Sequence, residues 1–272
     1  MKKAWLYSGQ TLWFFCKIAV YLLVTYSICV SLAVTYGVFW GYKEWTNLNQ
    51  QVLRYQEGAI NSSTFMENHS KMSQCSTGIE QKWIDIEHIP TPLKKSVLAV
   101  EDASFYVHPG IDLEAILSAM ETNRKRNKKA FGGSTLTQQL AKNLFLTKEK
   151  SWVRKGKELG FSILMEKHLG KDRIFELYLN LAQWGPCQFG CEAAAEHFYK
   201  KSCEDLNLPQ SINLAAILAN PNRYHPEAKK SKLMKQRRAL IYENLYTVGY
   251  LKKDTVKVDS VLTTDSLKNQ LE

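Results

Sequence analysis

The chain has 272 residues, enough for one hydrophobic segment and one domain of ordinary size. Its 36 Lys and Arg against 26 Asp and Glu give a net charge of +10, which suits lipid headgroups, phosphates or nucleic acid. Export of most of the chain, argued next, makes nucleic acid the least fitting of the three.

From Ile18 to Tyr42 no residue is charged, and Val, Leu, Ile, Ala and aromatics dominate. A helix needs about 20 apolar residues to cross a bilayer core, so this segment is expected to span. Trp13, Tyr21, Tyr36, Trp40 and Tyr42 lie toward its ends, as interfacial aromatics do. A cleaved signal peptide would have a shorter apolar region and a small-residue cleavage site; no convincing site precedes Lys43. Lys2, Lys3 and Lys17 come before the span and no acidic residue precedes Glu44. The N-terminus is therefore expected in the cytoplasm and the remainder outside. With those three lysines set aside, the remainder still carries +7.

Residues 43–90 are polar and weakly periodic, and include Asn-x-Ser matches at Asn61 and Asn68 that matter only in a eukaryotic secretory route. From Thr91 the pattern is helix after helix. Thr91 and Pro92 predict an N-cap and first helical residue, with a helix through Leu93, Val97, Leu98 and Val100 to Glu101. Asp112 is expected to cap a second, with Leu113, Ile116, Leu117 and Met120 as its apolar face. The run from Asn123 to Lys129 reads as a solvated loop. Gly132 and Gly133 break the chain, and Thr135 with Gln138 predicts a capping box for a helix through Phe145. Ser151 opens another, ended by Gly170. Asp172 is expected to cap the next, with Ile174, Leu177, Tyr178 and Leu181 buried. A helix near Pro209 stops at Asn220-Pro221. The last follows Glu227, with Leu233, Leu240, Ile241, Leu245 and Val248 on one side. No run of alternating strands and no internal repeat occurs, so the domain is expected to be mainly α.

Four of six cysteines, Cys75, Cys187, Cys191 and Cys203, fall in the part expected outside, where disulfides form. Four cysteines allow three complete pairings, which sequence does not separate. Cys187, Cys191, His197 and Cys203 fit no familiar zinc spacing, so no metal site is expected there.

Three stretches carry chemistry. Glu101 and Asp102 stand where an apolar helix ends, beside Phe105, Tyr106 and His108. A carboxylate there is partly desolvated and suited to general-base work; an ordinary acidic pair at a helix end is the alternative. Thr135, Gln138, Gln139 and Lys142 recur at i, i+3, i+4, i+7 behind a glycine-flexed helix start. Such a face suits sugar hydroxyls and a phosphate. Arg154 and Glu158, at i, i+4, either support their helix or, with Lys155, form a site holding cations and a second carboxylate.

In this order and spacing the stretches resemble glycosyltransferase family 51, the peptidoglycan polymerases. Glu101-Asp102-x-x-Phe105-x-x-His108-x-Gly110 resembles the first motif of that family. Gly133-Ser134-Thr135-x-Thr137-Gln138-Gln139-x-x-Lys142-Asn143 matches the second, and Arg154-Lys155-x-x-Glu158 the third. Glu176-Leu177-Tyr178-Leu179-Asn180 is similar to the fourth. Leu218-Ala219-Asn220-Pro221 with Arg223 and Pro226 is similar to the motif that closes the domain. The resemblance covers about residues 80–245, and the stretch from Gln183 is most similar to the monofunctional branch. No Ser-x-x-Lys of the penicillin-binding half occurs. Cys187 and Cys191 stand where relatives carry small residues, His197-Phe198-Tyr199-Lys200 replaces an aromatic pair plus Gly-Lys, and Lys150 replaces a common Arg.

The resemblance implies a lysozyme-like helical glycosyltransferase domain with a smaller membrane-proximal jaw lobe, preceded by one transmembrane helix. It divides the chain into a cytoplasmic N-terminus (1–17), the span (18–42), stalk and jaw (43–80), the glycosyltransferase domain (81–248) and a tail (249–272). It implies Glu101 as general base and Glu158 as second acidic group, with Lys142, Lys150, Arg154 and Lys155 meeting charge on a leaving pyrophosphate. Asp102, Phe105, His108, Ser134, Thr135, Gln138, Gln139 and Asn143 would surround and orient substrate. The implied partners are lipid II, the growing lipid-linked glycan, the bacterial inner membrane and other cell-wall synthesis or division proteins. No cofactor is required, with a divalent cation (Mg or Mn) as an option. A lysozyme-like hydrolase and an inactive scaffold are the rival readings.

Overall fold

A computed structural model of the chain describes residues 2–72, 75, 78–125, 133–147, 151–228 and 231–251. Gly132, Lys150, residues 126–129 of the basic run and the tail from residue 252 lie outside the described residues.

Two units make up the chain, residues 1–51 and 52–272. The first is formed by helix α1, Lys2–Leu53, which continues two residues past the boundary. It is far longer than the predicted 18–42 span, because no proline interrupts residues 2–53. At 1.5 Å per residue it extends about 78 Å, against a bilayer core of about 30 Å. Residues from Leu12 on are apolar enough to cross a membrane, and Leu22, Tyr26, Val38 and their neighbours are exposed along it. Its hydroxyls bond back to the helix: Thr25 Oγ1 to Tyr21 O at 2.9 Å and Thr35 Oγ1 to Ser31 O at 2.8 Å. A polar group in an apolar medium must be satisfied in this way.

Among the described residues, the regular structure of the second unit is helical apart from two short strands. Its elements are α2 (Thr64–Met72), β1 (Glu80–Gln81), α3 (Thr91–Glu101), α4 (Leu113–Lys125), α5 (Leu136–Phe145), α6 (Trp152–His168), α7 (Gly170–Leu181), β2 (Gln188–Phe189), α8 (Cys191–Tyr199), a 3₁₀ turn (Cys203–Asp205), α9 (Leu208–Ile217) and α10 (Lys232–Thr247). β1 and β2 pair in parallel, Glu80 opposite Gln188 and Gln81 opposite Phe189. A Cys75–Cys187 disulfide lies beside them, one of the pairings that sequence left open, while Cys191 and Cys203 are free and buried.

Two helix groups position the site. α3 packs on α9 and α10, and α5 packs on α6 and α7. Their core is apolar: Leu93 and Val97 from α3, Leu136, Leu140 and Leu144 from α5, Phe161 and Met165 from α6, Ile174, Leu177 and Leu181 from α7, and Ile241 and Leu245 from α10.

Several predicted ends shift. Pro90 is the N-cap of α3, without a side-chain bond, so Thr91 is already helical. α7 begins at Gly170, whose φ of 74° a side chain would strain, and Asp172 sits in its first turn instead of capping it. Asp112 does cap α4, accepting from Ala115 N at 2.8 Å, and that helix runs on through Asn123, Arg124 and Lys125. The apolar face of α4 lies open. Leu113, Leu117 and Met120 are each about two-thirds exposed and none of the helix is buried. Periodicity reports an apolar face but not what covers it. On α10, Leu233, Leu240 and Val248 are likewise exposed, and Met234 is buried with Ile241 and Leu245.

Candidate active site

Glu101 and Asp102 are adjacent in sequence and opposite in use. Glu101 ends α3 with a carboxylate that is partly exposed. One oxygen accepts from Arg237 Nη2 of α10 at 2.5 Å, the other from Gln139 Nε2 of α5 at 3.2 Å. Asp102 leaves the helix with φ −164° and turns into the protein. Its buried carboxylate accepts from His108 Nε2 at 2.9 Å and from the Leu136 backbone N–H, first in α5, at 2.8 Å. The negative carboxylate thus caps the positive end of α5 from outside the helix.

His108 is buried and its Nδ1 accepts from Gly110 N at 3.0 Å. Phe105 is fully buried against the rings of Tyr106, His108 and Phe175. Gly110 has φ 89°, and a Cβ there would meet Glu166 Cγ at 2.7 Å, so only glycine fits. Its carbonyl accepts from Thr135 Oγ1 at 2.7 Å. The first motif is therefore mostly a buried frame holding α3 to the start of α5, with Glu101 presented at its edge.

The polar face predicted for α5 divides in two. Thr135 and Gln138 are buried and form the capping box reciprocally, Gln138 N to Thr135 Oγ1 at 3.2 Å and Thr135 N to Gln138 Oε1 at 3.1 Å. These bonds are the capping box expected from the sequence. Gln139 reaches Glu101 and accepts from Tyr178 Oη at 3.4 Å. Burial first, and then the Glu101 charge, push the Tyr178 phenol well up, keeping it a neutral donor. Ser134 is exposed and Asn143 half-buried.

Lys142 feels the charge of both carboxylates. Solvent reaches its side chain, yet enough protein surrounds it that desolvation holds its ammonium below the ordinary lysine range. Glu158 opposes that shift, Arg154 and Lys155 add to it, and Glu101 opposes it. Its ammonium thus lies in the fields of both acids and both cations.

Glu158 is buried on α6, about two turns after the Ser151 cap. Arg154 Nη1 approaches one of its oxygens at 3.2 Å and Lys155 Nζ pairs with the other. A carboxylate buried to this degree needs such partners. Arg154 Nε is buried without a partner, a donor left for something else.

Arg237 was not singled out by sequence reading. It bridges Glu101 to the end of α9, with Nε donating to Ala216 O at 2.9 Å. It is 136 residues from Glu101, and no local pattern marks it. Glu166 was missed too: it accepts from Thr137 Oγ1 at 2.6 Å and Lys171 Nζ at 2.8 Å behind the first motif. Two surface cavities of about 460 and 540 Å³, one beside Tyr106 and Lys94 and one beside Trp83 and Gln81, are not lined by the charged cluster.

The helical domain thus presents two carboxylates from different helices, each paired with cations: Glu101 with Arg237, and Glu158 with Arg154 and Lys155. Residues 68–246 match the family described as Transglycosylase, and the chain belongs to that family. It is similar to the biosynthetic peptidoglycan transglycosylase of Cupriavidus pinatubonensis (strain JMP 134), 42% identical over 63% of this chain and 69% of that one. Similar proteins of that name occur in Janthinobacterium sp. (strain Marseille), 43% identical over 60% of this chain and 72% of that one, and in Cupriavidus metallidurans, 42% identical over 63% and 75%.

Proposed function

We propose that this chain polymerises lipid II into β-1,4-linked peptidoglycan glycan at the outer face of the bacterial cytoplasmic membrane. The observation that carries the reading is a cluster of charge: Glu101 paired with Arg237, Glu158 paired with Arg154 and Lys155, and Lys142 within electrostatic reach of both carboxylates. Transglycosylase membership and the names of its relatives support it.

In this reading Glu101 takes the proton of the acceptor sugar's 4-hydroxyl. That oxygen attacks the donor anomeric carbon, the bond from carbon to pyrophosphate oxygen breaks, and the configuration inverts. The leaving lipid pyrophosphate gains negative charge, which Lys142 and Arg154 stabilise more strongly in the transition state than in the ground state. Gln139 and Arg237 hold the Glu101 carboxylate in one orientation until substrate arrives. Glu158 orders Arg154 and Lys155 beside that charge. A divalent cation at Glu158 would compete with Arg154 and Lys155, which already meet its two oxygens.

Incubation with lipid II should lengthen glycan and release lipid pyrophosphate. A hydrolase would instead shorten preformed glycan, and inertness toward both would favour a scaffold.

Lys142→Ala should weaken binding of a phosphoglycolipid roughly 10- to 100-fold, the value of a lost charge-assisted hydrogen bond. An unchanged affinity would remove Lys142 from the anion site.

The charge-free run 18–42 of helix α1, with Lys2, Lys3 and Lys17 on its N-terminal side, supports an N-terminus inside and the catalytic unit outside. Alkaline phosphatase fused after Glu272 should be active. Signal from a reporter that works only in the cytoplasm would reverse the topology.

A further inference from the structure

Two buried thiols have chemistry that glycan polymerisation does not use. Cys191 is the first residue of α8 and Cys203 the first of the 3₁₀ turn, and both are fully buried. The buried Glu192 ties these elements together. Its Oε2 accepts from the Cys203 backbone N–H at 2.8 Å and from Ser202 Oγ at 3.2 Å. α8 packs on the 3₁₀ turn, and the two thiols share a hydrogen bond that, ahead of burial, pushes the Cys203 thiol far above its ordinary range.

We propose that Cys191 and Cys203 close to a second disulfide during folding, locking the 3₁₀ turn to the start of α8. The proposal rests on the reading that this unit folds outside the cytoplasm, where disulfides form and persist. Of the other cysteines, Cys75 and Cys187 bond to each other, and Cys16 and Cys29 lie on α1. The bridge would close a loop of about a dozen residues, short enough to form readily and long enough to restrict the unfolded chain.

The reaction is thiol–disulfide exchange with a small-molecule or protein disulfide. The thiolate of one cysteine attacks that disulfide, releasing one thiol and leaving a mixed disulfide. The thiolate of the other then attacks the protein-side sulfur and releases the second thiol. The two cysteines are oxidised, the exchange partner is reduced, and both protein protons end on its thiols. Burial of both thiols, and the raised Cys203 pKa, make the folded pair a poor nucleophile. Closure therefore belongs to folding, before the turn docks, and the finished bond is shielded from reductant.

The test uses full-length protein extracted from membranes, denatured without reductant, alkylated, digested and weighed by mass spectrometry. The expected result is a linked Cys191–Cys203 peptide pair beside the Cys75–Cys187 pair, with alkylation confined to Cys16 and Cys29. Alkylated Cys191 and Cys203 in molecules whose Cys75–Cys187 bond is closed would overturn the proposal and leave export intact. Open thiols at all four positions would instead speak against export. The pairing is then decided by refolding reduced protein in glutathione redox buffer, where Cys191 and Cys203 left open while Cys75–Cys187 closes overturns it.

Discussion

Glu101→Gln should abolish most glycan polymerisation, by at least about a hundredfold, while leaving the fold intact. Removing a general base costs on that scale. The amide keeps the size of the side chain, and its oxygen can still accept from Arg237 or Gln139 in place of the carboxylate. The position is partly exposed, so thermal unfolding should move by only a few degrees, in line with a loss of about 1 kcal/mol. Turnover on lipid II measured together with circular dichroism separates the two effects. Near-normal turnover by a well-folded variant would end the assignment of Glu101 as base.

Asp102→Ala should do the reverse at the neighbouring residue. The change leaves the buried His108 imidazole and the first N–H of α5 without their acceptor. Breaking a buried pair of this kind costs about 3–5 kcal/mol. In a domain of roughly 200 residues that lowers Tm by on the order of 10 °C. Asp102→Asn retains one acceptor oxygen and should lose less. Because Asp102 points into the frame, activity measured well below Tm should fall less than in Glu101→Gln. A Tm for Asp102→Ala within about 2 °C of the parent would show that the pair does not hold α3 to α5.

Those contrasting roles mark where sequence reading stops. Glu101 and Asp102 are an undifferentiated acidic pair in one dimension. One backbone torsion at the end of α3 turns the second carboxylate inward while the first stays at the edge. The Thr135–Gln138 capping box was legible because its bonds span three residues of one helix. So was the approach of Arg154 and Lys155 to Glu158, which one helical turn brings together.

Sequence by itself determined what is local: a charge-free apolar run able to span, helix after helix from Thr91, and motif residues that turn or cap within a few positions. Tertiary structure decided what is distant. It brought Arg237 onto Glu101 across 136 residues, paired Cys75 with Cys187 across 112, and left the apolar stripe of α4 uncovered. The physical reason is one of range. Capping, turn formation and periodicity act over a single helical turn and are written in neighbouring side chains. Which faces meet depends on how α3, α9 and α10 pack as solids, a free energy summed over many small contacts that no short window of sequence contains.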